Sequence, residues 1–282
     1  MFRSPATLER KSLPMSEFPL SEPKFVTVGD GASIAYRLDG KADKPVLVLS
    51  NSIATTLHMW DAEIDDLSQH FRVLRYDFRG HGGSSVPVGA YSLDRLGRDV
   101  IELLDALKIE RVHFLGLSLG GFVGQWLAIH APERVDRLIL SNTSTYLGPA
   151  EAFADRIAAV QKAPDMSEFA EMFLANWFPA QMLAANGPAI RKFRAMLLDI
   201  DRQGLAGLFA AVRDMDLRRT VTLIARPTLV IAGRHDTVTA LSHSEFIAKA
   251  VPGAKLVVLP AVHLSNVEYP AEFIDAVLSF LR

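Results

Sequence analysis

Three side chains far apart in the sequence, Ser118, Asp236 and His263, have the types that acyl transfer requires. Ser118 lies in Gly116-Leu117-Ser118-Leu119-Gly120, directly after Arg111-Val112-His113-Phe114-Leu115, an apolar run that reads as a buried strand. The stretch behind it, Gly121-Phe122-Val123-Gly124-Gln125-Trp126-Leu127-Ala128, reads as a helix. A serine between small residues at a sharp strand-to-helix turn is a nucleophile elbow, with strained backbone and Oγ held above the sheet. Gly116 and Gly120 lack a Cβ and can pass close to neighbouring backbone. Gly-Leu-Ser also occurs in ordinary turns, so the reading depends on the partners.

A serine hydroxyl needs a base, and the base needs an orienting carboxylate. Asp236 sits in Gly233-Arg234-His235-Asp236-Thr237, and His263 in Ala261-Val262-His263-Leu264-Ser265. Each follows an apolar run of strand type, Thr228 to Ala232 and Lys255 to Leu259 respectively. In a parallel sheet both would reach the edge that carries Ser118, where ligands bind. His235 competes less well for the role of base and fits better as a residue that caps or packs its loop. The oxyanion needs donors. The backbone N–H of Leu119 is one; the second is expected from Ser50-Asn51-Ser52-Ile53-Ala54, with Ile53 first and Ser52 next.

Arg75-Tyr76-Asp77-Phe78-Arg79-Gly80-His81-Gly82-Gly83-Ser84 runs from a buried strand into a glycine-rich polar turn. It has no Walker lysine and no Gly-x-Gly-x-x-Gly order, so a turn that braces the site, with Asp77, Arg79 and His81 as scaffold, is the better reading. No metal-ligand motif stands out, and neither a metal nor another cofactor is expected.

The elements that must position these residues follow from patterning. Phe25 to Val28 and Ser33 to Arg37 flank Gly29-Asp30-Gly31 as a hairpin. Val46 to Leu49, Phe71 to Tyr76 and Val135 to Leu140 add continuous apolar strands, and helices are expected at Thr56 to Leu67, Leu93 to Leu107 and Ala271 to Leu281. Strands without polar alternation, separated by helices, predict an α/β fold: a mostly parallel central sheet with helices on both faces. Residues 146–221 break the rhythm with helix-like stretches at Glu151 to Ala163, Met166 to Trp177 and Ile190 to Ile200. They read as an inserted helical cap, the core being 24–145 with 222–282. A plain surface layer of helices is the alternative. Trp177, Phe178, Met182, Phe193 and Met196 are candidates for the roof of an apolar pocket.

The 282 residues fit one large domain with an insertion. Thirty basic and thirty-two acidic side chains give a net charge of −2, and no basic tract favours nucleic acid or a membrane surface. With no cysteine, thiolate nucleophiles and disulfides are excluded, which is compatible with a cytoplasmic location. No apolar run approaches the roughly 20 residues of a membrane span. Residues 1–23 are expected to be a flexible extension, and Met15 offers a second start site.

From about Phe25 to Leu281 the chain resembles the α/β-hydrolase superfamily, including its Arg-x-Asp-x-Arg-Gly-His-Gly turn at Arg75 to Gly82. More narrowly it resembles the 3-oxoadipate enol-lactone hydrolases of aromatic catabolism. The echoes are Leu49-Ser50-Asn51-Ser52, Leu57-His58-Met59-Trp60, Gly116 to Gly121, Gly124-Gln125-Trp126-Leu127-Ala128 and Ser141-Asn142-Thr143. Others are Val230 to Gly233 with His235-Asp236, and Ala261 to Glu268. The resemblance implies Ser118 as nucleophile, His263 as base, Asp236 as triad acid, and a small enol lactone carrying a carboxylate as substrate. Ser52, Trp126 and Trp177 are then expected around the substrate. Arg191, Arg194 and Lys192 in the cap, or Arg234, would read its carboxylate. Rival readings are a general carboxylesterase, another lactonase or a C–C bond hydrolase, and, from a different class, a small-molecule receptor. A dehalogenase would need Asp where Ser118 stands. A homo-oligomer stays open.

Overall fold

The computed structural model describes residues 22–282. The extension expected at 1–23 and the start at Met15 lie outside the described residues, apart from Glu22 and Pro23, which lead into the first strand. Eight strands form one sheet: β1 (Lys24–Thr27), β2 (Ser33–Asp39), β3 (Val46–Ser50), β4 (Arg72–Tyr76), β5 (Val112–Leu117), β6 (Val135–Ser141), β7 (Thr228–Gly233) and β8 (Lys255–Leu259). Their spatial order is β1-β2-β4-β3-β5-β6-β7-β8. Only β2 runs against the others, since it pairs antiparallel with both β1 and β4. From β4 to β8 every pairing is parallel.

The apolar runs are strands because both their faces are covered: every residue of β5 and of β7 is buried. Helix α1 (Ile64–Ser68) precedes β4, α2 (Leu93–Ala106) precedes β5 and α3 (Leu119–His130) follows it. In α2 the apolar positions Leu96, Val100, Leu103 and Leu104 share the buried side, and Ser92 caps the first turn by accepting from the Arg95 N–H. Helix α3 is buried almost all round, as a central helix must be.

Between β6 and β7 come five α-helices: α4 (Ala150–Lys162), α5 (Ser167–Trp177), α6 (Ala180–Ala185), α7 (Pro188–Leu198) and α8 (Arg202–Asp214). Patterning locates α4, α5 and α7 but overlooks α6 and α8. Helix α8 places Gly204 and Gly207 directly on the core: a Cβ on Gly204 would lie 1.9 Å from the Gly80 carbonyl oxygen. After β7 come α9 (Leu241–Ala250), α10 (Ser265–Glu268) and α11 (Pro270–Leu281). No described helix is long and apolar enough to cross a membrane.

One expected element differs. The helix predicted over Thr56 to Leu67 is broken into a single tight 3-10 turn, Leu57–Trp60, and the short α1. The residues at and after the end of the turn serve long-range bonds instead. Trp60 donates its indole N–H to Asn51 at 2.9 Å, and Asp61 accepts from Arg75 at 2.6 Å.

Candidate active site

Ser118 occupies the turn between β5 and α3 with φ 55° and ψ −113°, a conformation L-residues rarely adopt. The turn is tight enough to demand its glycines. A Cβ on Gly116 would lie 2.1 Å from the Gly120 carbonyl oxygen, and one on Gly120 would lie 2.1 Å from that of Ser50. The backbone is held on both sides, because Ser118 N–H donates to Ser141 at 3.0 Å and Gly120 N–H to Asn51 at 2.9 Å. Ser118 is also the N-terminal cap of α3, so the positive end of that helix lies behind it.

Asp236 and His263 stand in the loops after β7 and β8. His263 Nδ1 is 2.8 Å from Asp236 Oδ2, and both residues are buried. Asp236 is saturated with donors. Oδ1 accepts from the N–H groups of Val238 and Thr239, while Oδ2 also accepts from the Thr239 hydroxyl and the Asn142 amide. Burial pushes this carboxyl up, but the charge and hydrogen bond of His263, with those of Asn142 and Thr239, outweigh it and bring its pKa to about 2. A bonded carboxylate at Nδ1 fixes the imidazole and leaves Nε2 as its other nitrogen. That nitrogen is buried and has no partner among the described residues.

Ser118 and His263 line one cavity of about 250 Å³. Ile53 and Leu119, expected to supply the oxyanion N–H groups, line it as well. The inserted helices provide most of the far wall, including Phe153, Phe173, Trp177 and Phe209. Of the roof candidates only Trp177 reaches it. Phe178 and Phe193 pack on each other with centroids 5.3 Å apart, and Met196 Sδ accepts from Thr56 N–H.

The other expected pocket residues are placed elsewhere. Trp126 stacks on His130 at 4.7 Å and fills the space over Gly97, where a Cβ would meet its ring at 2.0 Å. It therefore seals α3 against α2. Ser52, in the loop after β3, is fully buried, its N–H directed at Met59 Sδ. Arg191 bonds the Asn186 carbonyl, Arg194 pairs with Glu171, and Lys192 pairs with Asp61. Arg234 and His235 are exposed and do not line the cavity. The cation that the cavity does contain is Arg156, on α4. Its guanidinium stands 5.0 Å from the Phe153 ring centroid and forms no ion pair among the described residues. Sequence offered a faint signal for it: Arg156 follows Phe153 by three positions on a predicted helix, hence on the same face. Asn176 of α5, also on the wall, gave none.

The braced scaffold expected at the glycine-rich turn is visible in its bonds. Asp77 accepts from the N–H groups of Leu57 and Gly83, and Arg79 makes a two-pronged bond to Asp99. His81 departs from that expectation: it is buried with neither ring nitrogen partnered among the described residues, and burial pushes its pKa down to about 4.

A mostly parallel eight-stranded sheet, with a strained serine after the central β5 and helices inserted after β6, is α/β-hydrolase architecture. Residues 45–219 match the family model for the alpha/beta hydrolase fold, and the chain belongs to that family. It is 37% identical to 3-oxoadipate enol-lactonase 2 of Acinetobacter baylyi, over 94% of this chain and 98% of that protein. It is also 33% identical to the RutD protein of Pseudomonas syringae, assigned as a carbamate hydrolase, over 85% of this chain and 95% of that one. Among solved structures, a hydrolase from Pseudomonas aeruginosa superposes with TM-score 0.91 at 65% identity, covering 92% of this chain and 98% of its own. The enol-lactonase of Burkholderia xenovorans gives 0.89 at 37% identity, covering 92% and 99%.

Proposed function

We propose that this hydrolase opens 3-oxoadipate enol-lactone to 3-oxoadipate through an acyl-enzyme, as a step of aromatic catabolism in the cytoplasm. The observation that carries the reading is the 2.8 Å contact between His263 Nδ1 and Asp236, with His263 and Ser118 on one cavity. His263 Nε2 takes the Ser118 proton as Oγ attacks the lactone carbonyl. The oxyanion is stabilised by the N–H groups of Ile53 and Leu119. Ring opening expels an enol, which tautomerises to the ketone. Water activated by His263 then releases the acid and restores Ser118.

Helices α4–α8, within residues 146–221, act as the cap over the core formed by 24–145 and 222–282. The substrate carboxylate is read by Arg156 of the cap, in place of Arg191, Arg194 or Arg234. The support is its position on the cavity without a competing carboxylate, where a charge-assisted bond is strong.

The similarity to RutD favours a second reading, hydrolysis of a carbamate by the same three residues. Steady-state kinetics on the enol lactone, a neutral lactone, an aryl ester and a small carbamate separate the two. A kcat/KM highest for the enol lactone supports the first reading; preference for the carbamate would replace it. Negligible turnover of all four would move weight to a small-molecule receptor.

A further inference from the structure

Glu63 and Asn266 meet in the interior, behind the loop that carries His263. Glu63 is 1% exposed, and its Oε1 accepts from Asn266 Nδ2 at 3.1 Å. The second oxygen of each group, Glu63 Oε2 and Asn266 Oδ1, is buried without a partner among the described residues. A carboxylate and an amide carbonyl are both acceptors, so these two oxygens cannot satisfy each other. An ionised Glu63 would also carry a full charge into the interior with a single side-chain hydrogen bond, which is costly. The cation whose charge acts on it, Lys192 of α7, is committed to Asp61 at 2.8 Å.

One proton removes the conflict. A carboxylic acid can donate its O–H to Asn266 Oδ1 while its carbonyl oxygen keeps the Nδ2–H bond. We propose that Glu63 is held as a neutral carboxylic acid that closes a two-bond pair with Asn266 and thereby positions the His263 loop. Asn266 lies in α10, three residues after His263. Its neighbour Ser265 donates to Asn142 at 2.6 Å, and Asn142 donates to Asp236. The start of α10 is thus tied to the triad acid on one side and to the segment bearing Trp60 and Glu63 on the other. Burial pushes the Glu63 carboxyl up to about 7, whereas the Asn266 bond pulls the other way. Of the charges acting on it, Asp61 favours the proton and Lys192 opposes it. Asp61 is itself shared with Arg75 and His58.

The role in positioning rests on the reading of His263 as base; the protonation does not, and the test separates them. The test compares wild type, Glu63→Gln and Glu63→Ala. Gln reproduces the neutral acid, with its N–H replacing the O–H. The infrared difference between wild type and Glu63→Gln at pH 6 should contain the carbonyl stretch of an un-ionised carboxylic acid. Because the folded carboxyl is raised above its unfolded value, the wild type should lose thermal stability relative to Glu63→Gln as pH rises from about 4.5 to about 7. With a chromogenic ester at pH 6, Glu63→Gln should keep kcat within about twofold, while Glu63→Ala loses roughly tenfold in kcat at similar KM. Absence of the acid band, or a Glu63→Gln protein as unstable as Glu63→Ala at every pH, overturns the protonated pair. An unchanged kcat in a folded Glu63→Ala protein overturns its role in positioning His263.

Discussion

The Thr143 hydroxyl donates to the carbonyl oxygen of Ser118 at 2.7 Å, the same oxygen that accepts from Gly121 N–H at 2.9 Å. Thr143 follows β6 and Ser118 follows β5, so the bond crosses between adjacent strand ends. Backbone in the region of Ser118 costs about 1–3 kcal/mol and persists only where its surroundings enforce it. Thr143 is part of that enforcement. Thr143→Val keeps the shape and removes the donor, and should lower kcat by about tenfold with KM little changed. Thr143→Ser should recover most of the loss. Steady-state kinetics of the two variants check it, with circular dichroism to establish that both fold.

Ser118→Ala should remove turnover by several powers of ten while preserving the fold, since Ser118 alone of the hydroxyls lining the cavity stands at the strained turn between β5 and α3. Burst kinetics with an activated ester and the melting temperature of the variant supply the two readouts. His263→Ala should be comparably severe, and Asp236→Asn somewhat less so.

The chain order of Ser118, Asp236 and His263 made the site legible, because each is punctuated by a strand that is apolar throughout and hence recognisable. The strand pattern carried the sheet for the same reason. The cap was legible as helix but not as pocket. Whether Phe173 or Phe193 faces the cavity depends on how α5 and α7 rotate against each other, and helical periodicity does not specify that. The arginines misled for a related reason. Arg191 and Arg194 are drawn off by Asn186 and Glu171, partners close in space that the sequence does not mark. Glu63 was absorbed into a helix that does not exist, since the bonds of Trp60 and Asp61 outweigh local propensity.

Asp236, the proposed triad acid, should also support the fold in a pH-dependent way. Its pKa falls to about 2 in the folded protein, below the ordinary carboxylate range. A depressed carboxyl contributes stability above its unfolded pKa and loses it as pH falls through the folded one. The contribution is roughly 2 kcal/mol at neutral pH. Melting temperatures of wild type and Asp236→Asn should therefore differ at pH 6 and converge between about pH 4 and pH 2. Parallel curves over that range would contradict an ionised, donor-saturated Asp236.

Arg156 is the residue on which substrate choice should turn. Its guanidinium lies over Phe153 on the cavity wall, held by an aromatic face instead of a carboxylate, so its hydrogen-bonding capacity is uncommitted among the described residues. A substrate carboxylate that meets it there gains a charge-assisted bond worth roughly 1.5–3 kcal/mol, or about tenfold to a hundredfold in kcat/KM. Arg156→Met keeps an unbranched side chain against Phe153 and removes the charge. It should lower kcat/KM for the carboxylate-bearing lactone by at least about tenfold and leave that for its methyl ester within about twofold. Arg191→Ala and Arg194→Ala should leave the ratio of acid to ester unchanged, because their partners lie away from the cavity. Equal losses on acid and ester in Arg156→Met would mean that Arg156 shapes the wall without reading charge. No preference for the acid in the wild type would return the enzyme to the broader esterases of its family.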